Sequence, residues 1–265
     1  MLNSSALPLS NKHAIVTGGG RGIGAAIAEA LAQAGAAVSV LGRNAEALQK
    51  TAQGLKERYG VSVAVGVADV ADEAALGQAI AKLVAEQGPA AILVNNAGIA
   101  LSAPFLKSDA AFWKKMLDVD LMSAVYATQT VLPGMQSAGW GRIINIASTA
   151  GLTGMAYVTA YSAAKHAMVG LSRSLAMELA KTGITVNAVC PGYTDTDIVG
   201  NALETITAKT GRSRQDALAS LVAHNPQGRL VQPSEVGGTV VWLCGEAANS
   251  VTGQSIVLAG GELMK

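Results

Sequence analysis

The stretch His13-Ala14-Ile15-Val16-Thr17, followed by Gly18-Gly19-Gly20-Arg21-Gly22-Ile23-Gly24, decides the fold of this 265-residue chain. Its first part is a short apolar run of strand length, and its second is a glycine turn that opens a helix. Glycines at such a turn let the backbone come close to a ligand. A helix N-terminus then offers unpaired N–H groups to an anionic phosphate. The stretch predicts a strand, a phosphate-binding loop and a helix, with Gly18, Arg21, Gly22, Ile23 and Gly24 against a nucleotide.

Outward from this unit, β-branched runs alternate with alanine-rich helical patterns, as in parallel βαβ units. Strands are expected near 13–17, 37–41, 62–66, 91–95, 142–147, 184–190 and 255–258. They predict an α/β fold, a Rossmann-type doubly wound seven-stranded parallel sheet inside a three-layer αβα sandwich. Gly35 and Gly183 are placed to end the first and fifth helices. No break in composition divides residues 1–265, so a single domain is expected. The one irregular region, 194–232, is longer than an ordinary connection and reads as a substrate lid.

Bulk composition narrows the function classes. With 50% hydrophobic and 14% charged residues the chain can build a generous core. A formal net charge of +1 gives no electrostatic case for a nucleic acid or an anionic membrane as partner. No apolar run approaches the roughly 18 residues of a membrane span, and residues 1–10 lack the basic patch and apolar stretch of an export signal. Cys190 and Cys244 fall in segments that read as a strand end and a helix, which argues against a disulfide framework. A cytoplasmic protein that needs no metal is expected.

In an open parallel sheet, ligands bind outside the carboxyl ends of the strands. The unusual residues fall at that edge: Asp69-Val70 after strand three, Asn95-Asn96-Ala97-Gly98 at strand four, Ser148 after strand five and Pro191-Gly192 after strand six. Strands one and four flank the expected reversal of strand order. Tyr161 and Lys165, four residues apart, share one face of a helix. An ammonium there favours the phenolate of its neighbour, so the pair can donate or accept a proton. Beside a nucleotide site, this points to hydride transfer coupled to proton transfer.

These motifs resemble the short-chain dehydrogenase/reductase family over nearly the whole chain. The resemblance rests on Thr17-Gly18-x-x-x-Gly22-x-Gly24, Asn95-Asn96-Ala97-Gly98, Ser148, Tyr161-x-x-x-Lys165, and Pro191-Gly192 with Thr196 behind them. It implies that Tyr161 is the proton donor to a carbonyl oxygen, that Ser148 holds that oxygen, and that Lys165 assists Tyr161 and bonds the nicotinamide ribose. It further implies cofactor contacts from Asn95, Ala97, Gly98, Val70, Pro191, Gly192, Thr194 and Thr196, with Asp69 at the adenine amino group. Homotetramers are implied as well, through two long helices near 110–135 and 157–181. Residues 178–193 look most like reductases of 3-oxoacyl thioesters and polyketide chains. The C-terminal third also resembles 3-hydroxybutyrate dehydrogenases.

One position departs from the family pattern. Relatives carry an asparagine in the helix entering the site, where it anchors a water that relays protons to the lysine; here Asp120 takes that place. A carboxylate accepts from such a water and favours a charged lysine, but cannot donate as an amide does.

Charge also argues the cofactor. An acidic residue at the end of strand two holds the ribose of NAD, whereas arginine receives the extra phosphate of NADP. The strand ends Leu41-Gly42-Arg43, and Arg21 supplies a second guanidinium. NADP(H) is therefore preferred over NAD(H).

For the substrate, residues 149–158 carry no charge, and Ala150 and Val158 stand where 3-hydroxybutyrate dehydrogenases place a histidine and a lysine for a free carboxylate. Burying an unpaired carboxylate is costly, so a neutral ketone is expected. Lys209, Arg212 and Arg214 form a short basic group suited to the phosphates of coenzyme A or a carrier protein's arm. Two readings from different classes remain: a reductase of 3-oxoacyl thioesters or a related hydrophobic hydroxy or keto compound, and a non-catalytic NADP-binding sensor.

Overall fold

All five residues of β1, His13–Thr17, are buried. Successive strand side chains point to opposite faces, so Ala14 and Val16 pack in one core layer and Ile15 in the other. Each large apolar side chain buried in this way contributes about 1.5–3 kcal/mol relative to exposure. The computed structural model describes residues 7–263, apart from the side chains of Ile198, Asn201, Thr205, Ile206 and Lys209. Residues 1–6 of the segment read against an export signal, and the Lys209 side chain of the basic group, thus lie outside the described residues.

The chain continues through α1 (Gly22–Gln33), β2 (Ala37–Gly42), α2 (Ala45–Tyr59), β3 (Val63–Val67), α3 (Glu73–Gln87) and β4 (Ile92–Asn95). The second half runs α4 (Ala110–Leu117), α5 (Ser123–Ala138), β5 (Gly141–Ile146), α6 (Thr159–Leu179) and β6 (Ile184–Pro191), then α7 (Asp197–Thr210), α8 (Arg214–Val222), α9 (Pro233–Cys244) and β7 (Ser255–Leu258). The seven strands form one sheet in the order β3-β2-β1-β4-β5-β6-β7. Every pairing is parallel. Helices α1, α2 and α9 cover one face and α3, α5 and α6 the other, which is the doubly wound three-layer arrangement. β1 and β4 flank the reversal of order, where a crevice must open.

Local chemistry sets the helix ends. Asn44 and Asp72 accept from the N–H groups of Ala47 and Ala75, both at 3.0 Å, and so cap α2 and α3. Gly60 closes α2 in the left-handed conformation at φ 65. Gly35, at φ +92, follows directly on the end of α1 as expected. Gly183 does not cap α6; that helix stops at Leu179, and Gly183 lies in the turn that opens β6. Gly237 in α9 permits close packing on α1, since a Cβ there would lie 2.8 Å from Ala26 O.

Two expectations need correction. The helix read near 110–135 is interrupted by a π-helical turn, Asp118–Met122, that joins α4 to α5. No proline or glycine marks that turn in the sequence, and π-turns inside helices are frequent at functional sites. The region 194–232 is not irregular: it holds α7 and α8, which share a small apolar cluster of Val199, Leu203 and Ala217. A parallel bridge of Thr194 with Val231 ties its two ends together.

Candidate active site

Two positions of the loop after β1 and the helix start that follows it require glycine. Gly18 takes φ +67, and a Cβ on it would lie 2.8 Å from Asn96 Nδ2. A Cβ on Gly24 would lie 2.2 Å from Gly18 O. Asn96 holds the loop in place, its Nδ2 donating to Thr17 O at 2.9 Å while its backbone N–H donates to Thr17 Oγ1 at 3.0 Å.

The start of α1 carries no side-chain cap. Side chains cap α2, α3, α4 and α8, whereas α1, like α5, α6 and α7, has none, and its first turn, which opens on the cleft, holds no acidic residue. Those N–H groups are left for a ligand, and the helix dipole favours an anionic one. The residues present therefore fit a dinucleotide's phosphates.

A cleft of about 800 Å³ runs from this loop across the carboxyl ends of the strands. Gly18, Arg21, Gly22, Ile23 and Gly24 line one end. Arg43, Asp69 and Val70 line the β2 and β3 side, Ala97 and Gly98 the floor, and Thr196 the opposite wall. No carboxylate from β2 enters the cleft. Arg43 Nη1 lies 3.8 Å from Asp69 Oδ2, with the two side chains 67% and 47% exposed. An ion pair so open to water holds weakly and leaves the guanidinium available.

At the other end, α6 presents Tyr161 and Lys165 to the same cleft. Lys165 is buried; its Nζ donates to Ile146 O at 3.1 Å and lies 3.3 Å from Asp120 Oδ1. An ammonium has three N–H donors, so one remains for the cleft. The same Nζ lies 5.6 Å from the Tyr161 ring centroid. Burial pulls the Lys165 ammonium down, but the Asp120 and Tyr161 charges and the Asp120 hydrogen bond outweigh it, leaving its proton held above the usual lysine range. Burial pushes the Asp120 carboxyl up against the pull of Lys165. The Ile99 N–H donates to both Asp120 oxygens, at 3.2 and 3.3 Å. The ion pair is the state that satisfies both buried groups. Gly98 gives it room, because a Cβ there would lie 2.7 Å from Asp120 Oδ1.

Not every sequence-derived residue reaches the cleft. The Asn95 side chain is buried in the sheet, donating to Asn145 Oδ1 at 2.8 Å and Thr128 Oγ1 at 3.2 Å, so only its backbone is left to approach a cofactor, while Asn96 lines the cleft. Ser148 is half-buried just beyond Ile146 and Ala147, which do line the cleft. Its Oγ accepts the Ala150 N–H at 3.1 Å, and its own O–H is left to donate. Pro191, Gly192 and Thr194 sit at the end of β6 outside the cleft proper, with Thr194 Oγ1 donating to Gly192 O at 3.0 Å. The Ile99 backbone was not foreseen, since a main-chain donor leaves no mark in residue type. Among the described residues, no helix is long and apolar enough to cross a membrane.

Comparison with known proteins agrees with this geometry. The family model described as short chain dehydrogenase matches residues 12–207. The chain is 39% identical to the D-beta-hydroxybutyrate dehydrogenase of Cupriavidus necator, over 96% of this chain and 98% of the relative. It is 36% identical to a 3-oxoacyl-acyl-carrier-protein reductase of Aquifex aeolicus, over 96% and 98%. Among solved structures it is similar to an actinorhodin polyketide ketoreductase crystallised with NADPH, at a TM-score of 0.91 and 37% identity, covering 96% of this chain and 98% of that one.

Proposed function

Because the chain belongs to the short-chain dehydrogenase family, and is thus an oxidoreductase, we propose that it reduces a ketone to a secondary alcohol with NADP(H), the substrate being a neutral 3-oxoacyl thioester. The observation that carries this reading is the buried Lys165, held by Asp120 and Ile146 O beside the Tyr161 ring at the floor of the cleft. A protein that only bound a nucleotide would not need a proton donor with a charged amine beside it.

The nicotinamide cofactor, when bound, supplies a hydride to the carbonyl carbon. Tyr161 gives its proton to the carbonyl oxygen and takes it back in the reverse direction. The free O–H of Ser148 orients that oxygen and stabilises charge developing on it. Lys165 turns its remaining N–H to the cleft, for the cofactor ribose. Asp120 keeps the amine charged and fixed. The unpaired N–H groups of α1 receive phosphate, and Arg21 with Arg43 receives the further phosphate that distinguishes NADP.

The uncharged segment 149–158, with Ala150 and Val158, favours a neutral ketone over a free acid. The relatives named for 3-oxoacyl and polyketide reduction support the thioester. Loss of NADPH absorbance with acetoacetyl-CoA, by the parent and not by Tyr161→Phe, tests the reading; NADPH consumption at the parental rate by the phenylalanine variant would overturn it.

A further inference from the structure

Between Ser148 and the helix of Tyr161 and Lys165 lies a short 3-10 turn, Thr149–Gly151, whose three residues are buried. A Cβ on Gly151 would lie 2.8 Å from Lys165 O, 2.9 Å from Lys165 C and 3.2 Å from Lys165 Cβ. The first two are main-chain atoms of α6, which cannot swing aside as the end of a side chain can. The missing Cβ therefore lets the turn seat directly on the backbone of a residue that lines the cleft.

The turn carries Ser148 with it. Ser148 O accepts the Gly151 N–H at 2.9 Å and Ser148 Oγ accepts the Ala150 N–H at 3.1 Å, so these residues form one hydrogen-bonded unit. On the other side of the contact, buried polar groups hold α6 to β5 at two levels. Lys165 Nζ donates to Ile146 O at 3.1 Å. About two turns further along the helix, Ser172 Oγ accepts from Asn145 Nδ2 at 2.8 Å and donates to Met168 O at 2.8 Å. Asn145 is itself held from β4, where Asn95 Nδ2 donates to Asn145 Oδ1 at 2.8 Å. A group added at Gly151 thus meets a fixed helix, and the turn must give way, taking the Ser148 hydroxyl with it.

We propose that Gly151 is a positioning residue for the reaction: its contact with the Lys165 main chain sets the separation between the hydroxyl that holds the carbonyl oxygen and the phenol that protonates it. The inference rests on the ketone-reductase reading, in which Ser148 and Tyr161 act on the same oxygen atom, and adds what fixes the gap between them. Two groups that share one atom tolerate little displacement, since a misplacement of about 1 Å costs on the order of a hundredfold in rate.

The test compares Gly151→Ala, Ser148→Ala and the double variant. Gly54→Ala in α2 is the control, because a Cβ there would meet only Arg58 Nη2, at 3.5 Å. With acetoacetyl-CoA and NADPH, Gly151→Ala should lower kcat by about tenfold or more, with NADPH affinity by fluorescence retained and the control at the parental rate. In the Ser148→Ala background the same substitution should cost nothing further, because the group it displaces is gone; a merely structural role would cost as much in either background. Ser172→Ala, which releases α6 from Asn145 without adding volume, is the second variant and should show the same non-additivity with a smaller loss. Crystal structures of the parent and Gly151→Ala supply a readout independent of turnover. The separation of Ser148 Oγ from Tyr161 Oη should change by roughly half an ångström or more, the shift that brings the close contact back to van der Waals range. An unchanged separation, or losses in kcat that add to that of Ser148→Ala, would overturn the inference. A parent that consumes no NADPH, together with an altered separation in Gly151→Ala, would support the positioning contact and overturn the reductase reading.

Discussion

Asp120 Oδ1 and Lys165 Nζ form an ion pair 3.3 Å long in which the two side chains are 0% and 4% exposed. Removing one partner from such a pair leaves the other charge stranded, typically at a cost of about 3–5 kcal/mol. Asp120→Leu should therefore lose stability on that scale and most of its turnover. Asp120→Asn keeps acceptor capacity and should keep activity. Because Asp120 raises the Lys165 proton affinity, its loss in the asparagine variant should move the alkaline limb of the kcat/KM profile to lower pH. Unchanged turnover in the leucine variant would make the position purely structural.

Tyr161→Phe removes the proposed proton donor without touching the Lys165 to Asp120 pair. Turnover should fall by about a hundredfold or more, the usual scale of general acid catalysis, with NADPH binding by fluorescence retained.

Arg43 is the only basic residue lining the β2 and β3 side of the cleft among the described residues. Arg43→Ala should raise KM for NADPH by about tenfold, the scale of one charge-assisted hydrogen bond, and leave NADH little affected. Its pair with Asp69 is too exposed to matter for stability. Equal kcat/KM with NADPH and NADH in the parent would remove the assigned preference.

Gly24→Ala would push a Cβ to 2.2 Å from Gly18 O, a backbone atom with no freedom to swing aside. The loop must shift, so cofactor affinity should fall sharply and stability by about 1–3 kcal/mol. Thermal unfolding with and without NADPH reads both.

His13 makes stability depend on pH. Its Nδ1 faces Gly88 O and its Nε2 faces Ser39 Oγ, both at 2.8 Å; a neutral ring satisfies both by donating to the carbonyl and accepting from the serine. Burial holds its pKa below the free value of 6.5. The folded state therefore binds fewer protons than the unfolded one below pH 6.5, and stability should fall as pH drops from there through the folded pKa. Glu235, held down to about 2 by Arg229 and the Gln232 N–H, acts in a separate window beginning near its free value of 4.5. Urea midpoints between pH 7 and 5, compared with those of His13→Gln, isolate the histidine; equal slopes in the two proteins would assign the effect elsewhere.

The sequence alone determined the order of strands and helices and the type of chemistry. Parallel strands buried on both faces read as apolar runs, glycine is the residue that tolerates a positive φ at Gly18, and the fourfold spacing of Tyr161 and Lys165 fixes a shared helix face. Those signals are local, so a linear text carries them. The tertiary structure decided what depends on residues distant in sequence. Asn96 rather than Asn95 faces the cleft, because Asn96 reaches 79 positions back to Thr17 while Asn95 is spent on Asn145, 50 positions ahead. The π-helical turn, the pairing of Asp120 with Lys165, and the seating of Gly151 on the Lys165 main chain likewise have no periodic trace. They arise from packing across the sheet, where the partner of a polar group is set by which atoms the whole fold brings within about 3 Å of it.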